Sequence, residues 1–123
     1  MNYLLVFVGG GLGAGARYWL QGAVYRLSGP GFPYGTFVVN VLGSLAIGVL
    51  ITAFEERFAV DPGIRIFLIV GILGGCTTFS SFSYETLALL REGSIGTGLL
   101  NVASTVVTCL GATWLGMILG ELI

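Results

Sequence analysis

The chain has 123 residues, of which only 9% are charged, whereas about a quarter of the residues of an ordinary soluble domain are charged. Together with a mean hydropathy of +0.97, this excludes a soluble globular domain and indicates a membrane protein. The net charge of −1 offers no basic surface for nucleic acid, and the absence of His removes the commonest metal ligand and general base.

Four apolar stretches follow one another along the chain, and each has the length of about 20 residues that a membrane-spanning helix requires. We predict spans at 3–27, 34–54, 64–90 and 95–122, joined by short loops rich in glycine, proline and charged residues. The sequence therefore predicts an all-α membrane protein with a single four-helix transmembrane domain.

The first span begins like a secretory signal peptide, with an A-x-A site at 14–16. It lacks a basic n-region and stays apolar beyond that site, so we expect it to be retained. Residues 11–16 match the dinucleotide motif G-x-G-x-x-A. The first acidic residue is Glu55, however, so helix packing is the better interpretation. Arg17 is the only basic residue well inside a span. It is a candidate for function or for a structural contact with loop carbonyls.

Polar side chains recur every four residues along the second and fourth spans. They are Thr36, Asn40 and Ser44 in the second span, and Thr97, Asn101, Thr105 and Cys109 in the fourth. Such stripes most often hydrogen-bond neighbouring helices, but each Asn amide also carries two N–H donors that need partners at membrane depth. Donors from Asn, Ser and Thr, together with one Arg, suit a small anion, whereas a cation path would favour carboxylates or carbonyls.

The third span contains the most informative segment, residues 71–85, which read GILGGCTTFSSFSYE. Glycine and hydroxyl residues let backbone carbonyls leave the helical ladder, and lipid tolerates this only where protein, water or an ion satisfies them. We therefore predict a helix that is broken near its middle, with an ion site at the break. Glu85 is either a mouth residue in a water-filled vestibule or an interfacial partner for Arg.

Phe79 and Phe82 are three residues apart and share one helical face just after the predicted break. The edge of an aromatic ring is positive, so two ring edges attract an anion without binding it tightly. Taken alone, however, two Phe residues are more simply explained as packing or lipid-facing side chains.

The basic residues at the ends of the spans are balanced, with Arg26 and Arg91 at one end and Arg57 and Arg65 at the other. The positive-inside rule therefore gives no preferred orientation. We predict a chain that inserts both ways and pairs with its inverted copy. The alternative is that one distant charge or the amino terminus decides the orientation.

Residues 74–86, GGCTTFSSFSYET, closely resemble the signature of the small bacterial fluoride channels, the Fluc or CrcB family. Residues 13–18 and 35–43 and the pattern Asn101-x-x-x-Thr105 are also similar to that family, so the resemblance covers all four predicted spans. It implies a passive, fluoride-selective channel, not an enzyme, that exports cytoplasmic fluoride across the bacterial inner membrane. It also implies a dual-topology, antiparallel homodimer with two fluoride pathways.

The resemblance further implies roles for individual residues. The backbone carbonyls of Gly74 and Thr77 would hold a central, structural Na⁺. The fourth-span track departs from the family at Cys109, where a hydroxyl residue is expected, and at Asn101, which replaces a Tyr found in some members. With Arg17 included, the predicted fluoride pathway consists of Asn40, Phe79, Phe82, Thr78, Ser81, Asn101, Thr105 and Arg17.

Two other classes of membrane protein compete with the channel. Small multidrug transporters also have four short spans and are often dual-topology, but they resemble proton-coupled exchangers built around a carboxylate in the first span. Here the first span carries Arg17 and no acid. The third class is a membrane assembly subunit without a transport role. Fluoride flux from reconstituted liposomes would separate the three.

Overall fold

The structure is a computed structural model that describes residues 1–123, and it is helical throughout, with no strands. The elements in chain order are α1 (Asn2–Ser28), α2 (Tyr34–Glu56), α3 (Pro62–Arg65), a π-helix (Ile66–Leu73), α4 (Gly74–Cys76), α5 (Phe79–Arg91) and α6 (Ile95–Leu122). The segment from α3 to α4 is continuous, and α5 follows it after two extended residues. We call Pro62–Arg91 the broken helix.

Three stretches are long and apolar enough to cross a membrane, namely α2, the broken helix and α6. This confirms the predicted all-helical, multi-pass membrane protein. The first helix, α1, has 27 residues, but Asn2, Arg17, Gln21 and several glycines lower its apolar content and it is not among the three. The predicted span at 3–27 is therefore a helix here, and its crossing of the membrane stays a prediction.

The loops that join the long helices have clear local causes. Gly29 and Gly31 have φ values of 74° and 117°, a left-handed region that glycine enters without strain, and they turn the chain from α1 into α2. Before the broken helix, the Asp61 carboxylate accepts a hydrogen bond from the Gly63 amide at 2.9 Å. Asp61 therefore caps α3, and Pro62 at the first helical position pre-organises its first turn.

Glycines bring α1 into backbone contact with the broken helix. A Cβ added at Gly9 would lie 2.7 Å from the Phe67 carbonyl oxygen, and one added at Gly75 would lie 2.5 Å from that of Gly10. Gly13 similarly faces the backbone of the π-helix. Side chains at these positions would force the two helices apart, so these glycines allow the close packing.

The second long contact joins α2 and α6, which lie side by side. A Cβ added at Gly120 would lie 2.8 Å from the Val49 carbonyl oxygen, and one added at Gly116 would lie 3.0 Å from the Val49 amide. Thr113 also donates a hydrogen bond to the Ser44 carbonyl at 3.0 Å. The broken helix is thus held between α1 on one side and the α2–α6 pair on the other.

The π-helix has no counterpart among the features predicted from the sequence. In it the ladder is widened, and the amide of Gly74 reaches the carbonyl of Ile69, five residues earlier. Short π-helical segments are frequent at functional sites, because they rotate the following residues relative to a regular helix. The widened turn leads directly into the break.

Candidate functional site

The broken helix is interrupted at Thr77 and Thr78, whose ψ angles of 152° and 120° are those of extended backbone. The predicted break near the middle of the third helix is therefore confirmed. In a continuous helix the Thr78 amide would donate to the Gly74 carbonyl. Here it donates to Oδ1 of Asn40 at 2.9 Å, so the Gly74 carbonyl loses its helical donor.

Asn40 of α2 holds the break with both halves of its side-chain amide. Its Nδ2 donates to the Thr78 carbonyl at 3.0 Å, and its Oδ1 accepts from the Thr78 amide at 2.9 Å. This pair satisfies two backbone groups that the helix abandons, which a membrane interior requires. The second N–H of Nδ2 makes no hydrogen bond within the chain and remains available for a ligand.

Arg17 of α1 lies on the other side of the break. Its Nε donates to the Gly75 carbonyl at 3.3 Å. The last carbonyls of a helix lack ladder donors and carry negative charge, so a guanidinium there satisfies one of them and balances the charge. Arg17 lines neither of the two large cavities. This contact matches the structural interpretation of Arg17, and a direct contact with fluoride stays a prediction.

Hydroxyl groups and aromatic rings meet at the beginning of α5. The Thr78 hydroxyl oxygen accepts from the Ser81 amide at 3.2 Å and lies 3.3 Å from the Ser81 hydroxyl. The rings of Phe79 and Phe82 are in contact, with centroids 5.4 Å apart and planes at 46°. Because a helix N-terminus carries positive charge, this end of α5 is a favourable environment for an anion.

A cavity of about 480 Å³ lies between α2, the broken helix and α6, and we call it the inner cavity. It brings together most of the residues that the sequence singled out, and Cys109 lies beside them one helical turn beyond Thr105. No charged side chain lines it. The predicted residues in its wall are Asn40, Gly74, Thr77, Thr78, Phe79, Phe82 and Thr105.

A second cavity, of about 990 Å³, opens near the loop between α1 and α2. Ser81 and Glu85 of α5 line it, opposite Gln21 and Thr36, which are joined by a hydrogen bond of 3.1 Å. Oε1 of Glu85 is buried and has no hydrogen-bond partner. Glu85 therefore lies in the wall of this cavity, which we call the vestibule, and both predicted roles of Glu85 stay predictions.

Asn101 and Thr105 of α6 are not equivalent in the structure. Thr105 borders the inner cavity, whereas Asn101 is only 2% exposed and lines neither cavity. Instead, Nδ2 of Asn101 donates to the hydroxyl of Thr86 at 2.9 Å. Sequence reasoning missed Thr86, although its position four residues after Phe82 places it on the face of α5 that carries this ring.

The break also offers oxygen ligands for a hard cation. The Gly74 carbonyl lacks the donor that a continuous helix would supply, and both Gly74 and Thr77 border the cavity. Hard cations such as Na⁺ prefer oxygen ligands, including backbone carbonyls. No cluster of three or more His, Cys, Asp or Glu side chains occurs in the chain.

Residues 4–117 match the family of CrcB-like proteins, which is also described as Camphor Resistance (CrcB). A protein of Geotalea uraniireducens (strain Rf4) named Fluoride-specific ion channel FluC is 52% identical over 120 residues, 97% of this chain and 94% of the relative. A protein of the same name from Solibacter usitatus (strain Ellin6076) is 49% identical over 98% of this chain and 99% of the relative. Another, from Magnetococcus marinus (strain ATCC BAA-1437 / JCM 17883 / MC-1), is 46% identical over 100% of both chains.

Proposed function

The chain belongs to the CrcB-like protein family, and from that premise we propose how it conducts fluoride. Its full-length relatives are named fluoride-specific ion channels, so this chain is a fluoride channel, a multi-pass membrane protein and not an enzyme. That name does not fit a small multidrug transporter. The proposed mechanism rests on one observation above all, the cavity at the break, where two Phe rings and several neutral donors lie beside an interrupted helix.

The proposed pathway begins in the vestibule and reaches the inner cavity through the hydroxyls of Ser81 and Thr78. Ser81 borders the vestibule and Thr78 borders the inner cavity, and the two hydroxyl oxygens are 3.3 Å apart. Beyond them the anion meets the free N–H of Asn40 and the edges of the two Phe rings. Conduction needs several modest sites rather than one deep one, and the inner cavity, whose wall has no charged side chain, provides them.

We further propose that the functional unit is an antiparallel homodimer. Phe79 is 77% exposed, and a Cβ at Gly74 would meet no atom nearer than the Ile69 carbonyl oxygen at 3.8 Å. This face of the broken helix is therefore uncovered in a single chain. An inverted second copy would cover it, and would close the groove beside each Phe pair into a separate pathway. The balanced arginines at the two ends support insertion in both orientations.

In such a dimer the carbonyls of Gly74 and Thr77 from both copies would hold a Na⁺ at the centre. The cation supplies positive charge where the negative ends of two interrupted helices meet. The loss of the helical donor to the Gly74 carbonyl supports this assignment.

We place the channel in the bacterial inner membrane. HF crosses membranes and dissociates in the cytoplasm, and the fluoride ion that this releases is trapped there. A passive channel there lets the fluoride leave.

The first prediction concerns transport. Liposomes that contain the purified chain should release fluoride passively and electrogenically when a potassium ionophore carries the compensating charge, and they should release little chloride. A fluoride electrode measures the flux, and liposomes without protein are the control. A flux that required a proton gradient, or that carried organic cations instead, would contradict the channel.

The second prediction concerns orientation. Ser28 and Glu92 lie at the same end of the molecule, since residues of both loops border the vestibule. The double variant Ser28→Lys with Glu92→Lys should insert in one orientation and lose most fluoride flux when it is expressed alone. Co-expression with Glu56→Lys and Ala59→Lys, which charge the opposite end, should restore the flux. A variant that inserts in one orientation and still conducts fully by itself would exclude the inverted pair.

A further inference from the structure

A chain of hydrogen bonds between α5 and α6 ends at the backbone carbonyl of Phe82, whose ring borders the cavity at the break. We propose that Thr86 is a positioning residue for Phe82, held in place by Asn101. This inference rests on the proposed fluoride function, and it adds a residue to which that function assigns no role.

Four groups form one buried chain of hydrogen bonds. The Thr105 hydroxyl lies 3.3 Å from Oδ1 of Asn101, and Nδ2 of Asn101 donates to the Thr86 hydroxyl at 2.9 Å. The Thr86 hydroxyl in turn donates to the carbonyl of Phe82 at 2.7 Å. Thr86 and Asn101 are buried and line neither cavity, so water does not compete for the bond between them, and hydrogen bonds in such a chain strengthen one another.

The direction of the chain is fixed by chemistry. A carbonyl only accepts, so the Thr86 hydroxyl must donate its single proton to Phe82. The NH₂ group of Asn101 only donates, so it must be the partner that Thr86 accepts. Oδ1 of Asn101 is left to accept from Thr105. None of these groups can exchange donor and acceptor without breaking a hydrogen bond. The chain of bonds therefore fixes the axial position and the rotation of α5 relative to α6.

Thr86 and Asn101 line neither cavity, whereas Phe82 borders the inner one. Their effect on an ion must therefore pass through a neighbour that borders the cavity, and for Thr86 that neighbour is Phe82, whose backbone carbonyl it holds. The helices are also close at this point, because a Cβ added at Gly98 would lie 2.8 Å from Cδ2 of Leu90 and 3.5 Å from the Thr86 carbonyl oxygen. Because the helices are closely packed, a change in the hydrogen bonds of Thr86 shifts the preceding turn of α5, which carries Phe82.

The test compares Thr86→Val, which keeps the shape and removes the hydroxyl, with Thr86→Ser, which keeps the hydroxyl. Fluoride release is measured from liposomes at low protein density, where the rate per channel and the fraction of active liposomes are separate quantities. Thr86→Val should lower the rate per channel by about fivefold, the ratio that one hydrogen bond commonly carries, with an unchanged active fraction. Thr86→Ser should restore most of the rate.

A purely structural role would lower the active fraction and leave the rate per channel unchanged, and that result would overturn the inference. Positioning also requires that Thr86→Val has little further effect in a Phe82→Ile background, whereas independent, multiplicative losses would contradict it. If Thr86→Val does not fold, Asn101→Leu removes the donor to Thr86 and should lower the rate per channel in the same way. A wild-type rate in Asn101→Leu would then overturn the inference. Absence of flux from the wild-type chain would instead remove the proposed function itself.

Discussion

Replacing Asn40 with Asp should lower fluoride flux by about a hundredfold or more, for two reasons that act together. The carboxylate cannot donate to the Thr78 carbonyl, which Nδ2 now reaches at 3.0 Å, and an abandoned carbonyl costs roughly 1–3 kcal/mol. The added negative charge also repels the anion, by roughly 1–4 kcal/mol at a separation of about 4 Å between water-like and protein-surface dielectrics. Fluoride release from liposomes measures the combined effect.

Two further variants separate these causes. Asn2→Asp makes the same chemical change at an exposed position near the start of α1 and should conduct like the wild type. Asn40→Leu removes both contacts with Thr78 without adding charge, so it should lose less flux than Asn40→Asp and should be less stable to heat than the wild type. Wild-type flux in Asn40→Asp would show that Asn40 neither holds the break nor borders the anion path.

Phe79→Ile should lower fluoride flux by about tenfold while leaving a folded dimer. Isoleucine keeps an apolar side chain of similar bulk but has no ring quadrupole, and aromatic edges contribute about 0.5–1.5 kcal/mol to their contacts. Phe79 is 77% exposed in the single chain, so its replacement removes little packing within one copy. In a variant that still forms the proposed dimer, the expected loss is therefore a loss of anion attraction, measured as the fluoride rate per channel.

Phe7 provides a matched control for this change. It is 74% exposed on α1 and lies in neither cavity wall, so Phe7→Ile removes an equally exposed ring from a different face. It should leave the fluoride rate per channel unchanged. Phe82→Ile, at a buried position, should lower the flux as Phe79→Ile does and also cost some thermal stability. Unchanged flux in both Phe79→Ile and Phe82→Ile would place the pore on another face.

The break in the third helix was predictable because its signal is local. Glycine lowers helix propensity, and the adjacent β-branched residues Thr77 and Thr78 favour extended backbone. The helix packing predicted for residues 11–16 is likewise confirmed at Gly13, whereas a Cβ added at Gly11 or Gly15 would meet no atom within 4 Å. Both features follow from residues that are neighbours along the chain.

The partners of the polar side chains were not predictable in the same way. A stripe shows which residues share a face, but not what that face contacts. Asn40 binds the backbone of Thr78, 38 residues later, and this pairing depends on how α2 packs against the broken helix. Asn101 and Thr105 do share a face of α6, as their spacing predicts, yet at Asn101 that face meets Thr86 instead of the cavity.

The contact between Arg17 and Gly75 has a consequence for the timing of assembly, because 58 residues separate the two. Chains are synthesised at about 5–20 residues per second, so Gly75, whose carbonyl accepts the hydrogen bond, is synthesised roughly 3–12 seconds after Arg17. The π-helix, which packs on the glycine face of α1, is synthesised after a similar interval. During this interval α1, the least apolar of the long helices, has no packing partner in the broken helix. We expect α1 to take its final position only when the broken helix has been synthesised. The orientation of the chain would then not be decided by α1 alone, as the proposed insertion in both orientations requires.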